Sequence, residues 1–455
     1  MTPKHSPAPV WLAQPAATWT GNSEDAGNGI VVRGNRIIEL VPAGAMPTTP
    51  GYSRFDARGL ALLPGLINCH HHFYQTLTRA FPAAQNLELF DWLKALYPVW
   101  ARIGEDGIHT ATRLALAELL LSGCTTSVDH HYLFSGATGN AIDAQADAAA
   151  SMGARVVLTR GSMSLGVADG GLPPDSVVQT AATILADSER LINRYHQRGD
   201  DAMVQIALAP CSPFSVTPEL MREVASLATR HDVLLHTHLA ETADENAFCE
   251  QQLGMRPLAY LESVGWLNDR IWLAHGIHFN DAEIQSLAQA GVGVCHCPSS
   301  NMILASGICR VRELEQAGVG VGLGVDGSAS NDHSNMMQEV RQAFLLQRLR
   351  YGSAAITADD ALRWATVGGA QLLKRPALGQ LAVGMVADLA LFDPAQDLRF
   401  SGAADLIGAL VTSGAHAARH VMVNGQWRVR DYTLADTDLA ELRASHEALA
   451  RRLRK

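Results

Sequence analysis

The stretch 63–79, LPGLINCHHHFYQTLTR, runs from an apolar segment through a Pro-Gly pair into three consecutive histidines. Successive side chains along a strand point to opposite faces, so His70 and His72 share one face and His71 takes the other. Two imidazoles side by side at a strand end are half of a metal site. Taken alone, they are equally an incidental polar run in a turn. Three later signals bear on that choice: His238 and Glu241 stand three apart in HLAE, His275 ends the run IWLAH, and Asp326 ends GLGVD. Imidazole and carboxylate are groups that bind divalent cations and move protons near neutral pH.

These residues need elements that bring them to one place. From 59 to 378, short β-branched runs alternate with long helix-like segments, a pattern that predicts parallel strands joined by crossover helices. Eight strands are expected, over 61–69, 125–130, 155–160, 204–211, 233–238, 271–275, 292–297 and 319–325. Helices between them include 107–121, 217–231 with Thr217 as N-cap and Pro218 behind it, and 280–290, where Asn280 and Glu283 have capping-box spacing. Eight such units suit an α/β fold of the (β/α)8 TIM-barrel type. A doubly wound open sheet is the competing architecture, and no GxGxxG follows an early strand to support it or a nicotinamide-dependent oxidoreductase. In a barrel the carboxyl ends of the strands meet at one face, so histidines and acids far apart in the chain converge there.

Both ends of the chain read differently. GIVVRGNRIIEL sets Gly34-Asn35 between two alternating segments, and RHVMVNGQWRV does the same with Asn424-Gly425. Each is a β-hairpin signature. Together they predict a small β-sandwich domain built from both termini, 1–58 with 379–432, around a barrel at 59–378, with a C-terminal helix over 433–455.

The 455 residues are 47% hydrophobic and 18% charged, the make-up of a soluble globular protein. A formal charge of −10 argues against a nucleic-acid or anionic-membrane partner, because both need a basic face. The opening residues MTPKHSPAPVWLAQ lack the basic and apolar regions of a secretory signal, and no apolar run reaches about 18 residues, so a cytoplasmic protein is expected. Seven cysteines without a CxxC pair make neither a disulfide framework nor a zinc knuckle. Cys295 and Cys297, flanking His296, read as packed strand residues.

The ordered set HxH, HxxE, His275 in LAHGIH and Asp326 in GLGVDGSASN resembles the amidohydrolase superfamily over nearly the whole chain. HHHFYQTLTRAFP, LTRGSMSLG, LAPCSPFSVT, HTHLAET and CPSSNM are similar to its branch of aminohydrolases that deaminate purines, pterins and related azines. The resemblance implies that His70, His72, His238 and Asp326 hold one divalent metal, Zn2+ first, with Fe2+ leaving the chemistry unchanged. Relatives with two metals place a bridging carboxylated lysine or a carboxylate at the fourth strand end. Here that position is Cys211, and the lysines, Lys4, Lys94, Lys374 and Lys455, end none of the expected strands.

The resemblance also implies roles. Metal coordination brings the pKa of bound water to about 7. Asp326 takes the proton of that water as it attacks an amidine carbon, and Glu241 protonates the ring nitrogen, a task for which a dry pocket should raise its pKa. His275 orients the water or polarises the tetrahedral oxygen. The plain alternatives, a solvated glutamate at a helix start and a satisfied core histidine, weigh less in an ordered set than singly. His71, His130, His131, His278 and His296 are expected to be structural or to support the ligands from behind, since no spacing promotes them.

For the substrate, Gln75 offers both a donor and an acceptor to a ring edge. Trp92, in FDW, sits in a long insertion after the first strand, as a lid over a flat heterocycle or as core of the loop itself. Arg160 ends the third strand, where it would meet an anionic ring oxygen or pair with Asp129 or Glu241. Cys211 stands where nucleoside-type deaminases carry a histidine, which favours a free base. The partner implied is a small heterocyclic base, an oxidised purine, with 8-oxoguanine and water giving urate and ammonia. Isoxanthopterin, guanine and hydroxy-s-triazines are the neighbouring ring systems. A catalytically silent metal-binding or assembly protein is the alternative from another class, and an unliganded acid beside the ligands argues against it. The Arg-rich C-terminal helix either joins a second copy in a homo-oligomer or faces solvent.

Overall fold

The computed structural model describes residues 7–136, 138–414 and 416–455, so Lys4 lies outside the described residues. Eight parallel strands form one sheet in chain order: Leu66–Asn68, Cys124–His131, Arg155–Ser162, Val204–Pro210, Leu235–Leu239, Ile271–His275, Gly293–His296 and Val321–Leu323. The first and last strands meet through Cys69 N–H donating to Leu323 O at 2.8 Å and Asp326 N–H to His70 O at 3.0 Å. The result is a nearly closed TIM-like barrel. Its interior packs Ile67, Val128, Val157, Ala207 and Trp272 into one cluster, while the alternate residues Val156 and Leu158 belong to the core between strands and helices.

The expected helices form. Thr217 Oγ accepts Leu220 N–H at the start of Pro218–His231. Asn280 and Glu283 complete a reciprocal capping box before Asp281–Ala290, which satisfies amide groups that have no partner inside a first turn.

Two further sheets flank the barrel. One orders Arg36–Leu40, Gly29–Arg33, Val10–Ala13 and Ser53–Asp56; the other orders Thr433–Leu434, Gln426–Arg430, His420–Val423, Leu389–Phe392, Ala61–Pro64 and Ala17–Thr18. Both hairpins turn where expected, and Asn424 and Gly425 take φ of 51° and 75°, the backbone a tight two-residue turn requires. Leu12 and Ile30 of the first sheet share a buried cluster with Leu62, Leu389 and Leu391 of the second.

The structure corrects the expected strand over 61–69. Pro64-Gly65 divides it: Ala61–Pro64 pairs antiparallel with Leu389–Phe392, and only Leu66–Asn68 enters the barrel. Proline lacks the N–H a barrel ladder needs, and Gly65 abuts Thr125 so closely that a Cβ there would lie 2.1 Å from its hydroxyl oxygen. The helix Leu439–Leu453 lays Leu442, Ala450 and Leu453 against the chain's own helix Glu105–Leu121 and turn Phe73–Thr78. His446 Nε2 lies 3.0 Å from Thr76 Oγ. Among the described residues no helix is long and apolar enough to cross a membrane.

A buried ion pair ties the second sheet to the barrel floor. Arg155, which opens the third barrel strand, is paired with Asp388, whose other oxygen accepts Asn424 N–H at 2.7 Å. Removing one member of such a pair leaves a buried charge without compensation. Asp388→Ala is therefore expected to lower the unfolding free energy by about 3–5 kcal/mol, read from urea unfolding followed by circular dichroism.

Candidate active site

At the carboxyl end of the barrel four side chains turn electron pairs toward one point. His70 Nε2 and His72 Nε2 each lie 3.2 Å from Asp326 Oδ1, and His238 Nε2 lies 3.2 Å from His72 Nε2. The opposite ring nitrogens fix the protons. His72 Nδ1 faces His130 O at 2.6 Å and His238 Nδ1 faces Cys211 O at 2.7 Å. A carbonyl can only accept, so both Nδ1 atoms carry hydrogen and both Nε2 atoms are bare. His70 Nδ1 lies 2.8 Å from His236 Nε2, and His236 Nδ1 lies 2.8 Å from Trp272 O. The same logic leaves His70 Nε2 bare, and it has no hydrogen-bond partner in the protein. Burial pushes the pKa values of His70 and His238 well down, keeping them neutral.

Three bare nitrogens and a carboxylate oxygen at such separations repel one another unless a cation lies among them. With Zn–N bonds of 2.0–2.1 Å, ligands at the corners of a tetrahedron stand about 3.3 Å apart, close to the spacing found. The residues present therefore fit a divalent cation.

His275 carries the opposite tautomer. Asn301 Nδ2–H donates to His275 Nδ1 at 3.0 Å, so the hydrogen sits on Nε2, which lies 3.5 Å from Glu241 Oε2 and 4.0 Å from Asp326 Oδ2. His275 is thus built to donate between two carboxyls. Glu241 is buried, and burial first, then the charges of Asp326 and Glu245, hold its pKa well above the usual carboxylate range. Its environment therefore favours the protonated form over the carboxylate.

Backbone strain aims these groups. Ala240, His275 and Asp326 have φ of 53°, 71° and 62°, a region that costs a non-glycine residue about 1–2 kcal/mol. Plain alternation would send His275 to the helix side with Ile271 and Leu273; the left-handed turn breaks the alternation. Glu245 holds the neighbouring bend, accepting Ala240 N–H at 3.0 Å and Glu241 N–H at 2.8 Å. Glu339 does likewise for the last loop, accepting from Ser299 and from Asn331, which also donates to Val325 O.

Gln75, Trp92 and Cys211 line the cavity above this cluster, with Leu93, Phe214 and Leu304 as apolar walls. Gln75 is buried with Oε1 free of partners, and its carboxamide fills the space where Gly327 has no side chain. Trp92 lines the cavity and is at the same time part of the loop's own core, packing on Trp100 and donating to Ala329 O at 3.3 Å. Burial pushes the Cys211 thiol up to about 12, so it stays neutral.

Arg160 is the one sequence candidate not brought to the cavity. It shares the outward face of Val156 and Leu158, donates to Asp187 at 2.7 Å and Gln179 at 2.8 Å, and lies over the Phe134 ring. Neither Asp129 nor Glu241 is its partner. His130, expected to be structural or to support the ligands, brings a nitrogen within 4.8 Å of those of His70, His72 and His238. It has the inward parity of Val128, a signal present in the alternation.

A family model described as the amidohydrolase family matches residues 61–428. The chain is 61% identical to an 8-oxoguanine deaminase of Pseudomonas aeruginosa, over 97% of this chain and 98% of that one. It is 40% identical to a hydroxydechloroatrazine ethylaminohydrolase of Pseudomonas sp. strain ADP, over 81% and 79%. The crystal structure of an atrazine chlorohydrolase from Arthrobacter aurescens TC1 complexed with zinc superposes with a TM-score of 0.90 at 32% identity, covering 97% of this chain and 100% of that one.

Burial also sets the acid response. His71, His131, His236 and His296 are pushed down to about 3, so below pH about 6.5 the unfolded chain takes up protons the folded one refuses. Burial raises Glu245 and Glu339 to about 7, which acts the other way until about pH 4.5, where both states are protonated. Unfolding free energy of metal-free protein is expected to decline gently from pH 6.5 to 4.5. Below that it should fall steeply, by up to about 1.4 kcal/mol per pH unit for each imidazole, as read from urea midpoints across the pH range.

Proposed function

The chain belongs to the amidohydrolase family, and on that premise we propose that it hydrolytically deaminates 8-oxoguanine, giving urate and ammonia. The observation that carries this reading is Glu241: a buried carboxyl whose pKa burial holds well above the usual range, not among the cation-facing groups, yet 3.5 Å from His275 beside them. A closed structural metal site has no use for such an acid.

In this reading His70, His72, His238 and Asp326 hold one divalent ion, zinc before iron. A cation there supplies Lewis-acid activation of water at neutral pH. A single ion is supported by the neutral Cys211 thiol at the fourth strand end and by the lysines: Lys94 and Lys374 pair with Asp91 and Asp269 away from the site. Asp326 accepts the proton of the attacking water. Glu241 gives its proton to the ring nitrogen next to the carbon under attack, so that the ring electrons have somewhere to go. The proton held by Asp326 then goes to the exocyclic nitrogen, the C–N bond breaks and ammonia leaves, and the hydroxyl proton of the forming carbonyl returns to Glu241, restoring the acid. His275 Nε2–H steadies the oxygen that becomes the new carbonyl.

Gln75 Oε1 reads a ring N–H, and Trp92 with the apolar walls excludes water from a flat base. Cys211 leaves no imidazole for a ribose hydroxyl, which supports a free base. The seven cysteines are all buried and unpaired, in keeping with a reducing, cytoplasmic setting.

Ammonia release from 8-oxoguanine, guanine, isoxanthopterin and hydroxyatrazine, on zinc-loaded protein, tests the substrate. 8-Oxoguanine is expected to have the highest kcat/KM; faster release of alkylamine from hydroxyatrazine would move the chain to the triazine branch while leaving the reaction class intact. Glu241→Gln is expected to retain its metal, measured by elemental analysis, and to lose about 10²–10⁴-fold in kcat. Near-parental turnover in that variant would remove Glu241 from the role of acid.

A further inference from the structure

We propose that His236 and Trp272 form the floor of the metal site and that His236 is a positioning residue which fixes the tautomer of His70. The inference rests on the metal reading above and goes beyond it to a residue outside the ligand set.

The geometry is a closed circuit. His70 Nδ1 meets His236 Nε2 at 2.8 Å, and His236 Nδ1 meets Trp272 O at 2.8 Å. Trp272 Nε1–H then donates to Cys69 O at 3.0 Å, and Cys69 precedes His70 in the chain. The circuit links the first, fifth and sixth barrel strands. The His236 ring lies flat on the Trp272 indole, with centroids 4.3 Å apart and planes 12° apart. His236 and Trp272 are both fully buried.

Direction around the circuit is forced. Trp272 O is only an acceptor, so His236 Nδ1 carries the hydrogen and its Nε2 offers a lone pair. His70 Nδ1 must then be the donor, and its Nε2 is left bare to face Asp326. The other two imidazoles of the cluster reach the same state by donating directly to carbonyls. His70 alone does so through a second imidazole. A partner that orients a ligand in this way typically contributes 10- to 100-fold to metal affinity.

The test is zinc affinity, measured by chelator competition rather than by turnover. His236→Phe keeps a flat ring on Trp272 and removes the acceptor; about 10- to 100-fold weaker zinc binding is expected, with the metal-free protein still unfolding cooperatively, at a midpoint lowered by the two buried polar groups left unpaired. His236→Gln restores an oxygen acceptor and is expected to recover most of that loss. Equal affinity for His236→Phe and the parent overturns the inference alone, and so do equal losses in the Phe and Gln variants, since packing rather than the acceptor would then be at work. A parent that takes up no divalent ion overturns the metal reading and this inference with it. Should His236→Phe fail to fold, 15N NMR of the zinc-loaded parent decides: His236 is expected with its proton on Nδ1, and a proton on Nε2 overturns the assignment.

Discussion

The site is organised by a repulsion. Around one point at the barrel mouth, Asp326 Oδ1 and the bare nitrogens of His70, His72 and His238 crowd together, while every ring proton of those three imidazoles faces away. The outward bonds explain why a parallel barrel suits the arrangement. Its carboxyl ends present backbone carbonyls, and His130 O and Cys211 O take the protons of His72 and His238. Hydrogen bonds that hold the rings still therefore also select the tautomer that leaves the inner nitrogens free. The proposed cation repays an electrostatic cost that the scaffold has already imposed.

Backbone strain is the second cost. Ala240, His275 and Asp326 occupy the left-handed region at three strand ends, and buried carboxyls brace the loops beside them. Glu245 ties down the amides around Glu241, and Glu339 gathers the loop after Asp326. Both acids gain their hydrogen bonds at the expense of desolvation, which is why their pKa values rise to about 7. Groups tuned in this way belong to the site's support rather than to ordinary packing.

Much of this was legible in the residues. The Asn-Gly and Gly-Asn turns located both hairpins, Asn280 and Glu283 marked a helix start, and the alternation of short and long segments gave the barrel order. The chemistry-bearing residues stood out because they ended strands. What was hidden had physical causes. Pro64-Gly65 interrupts the run 61–69, but with apolar residues on both sides the run reads as one strand where two sheets share it. Arg160 was placed by its position at a strand end without regard to parity, and parity sends it outward with Leu158. His236 repeats, two residues before His238, the spacing of His70 and His72, yet a second HxH on another strand reads as a second pair of ligands only if its partner is known. His275 defied alternation altogether, because a left-handed backbone carries no mark in the sequence at a histidine.

The pairing of Ala61–Pro64 with Leu389–Phe392 bears on how the chain reaches this state. Those two strands bracket the entire barrel, so bringing them together before the barrel exists would close a loop of most of the chain, and non-local pairings of that kind slow folding. Loop-closure entropy therefore makes this pairing least costly once the barrel between the two strands is compact. The Arg155–Asp388 pair, at the base of the third strand, is buried only where sheet and barrel meet. The sheet is a clasp between the two ends of the barrel segment, placed at the end opposite the chemistry.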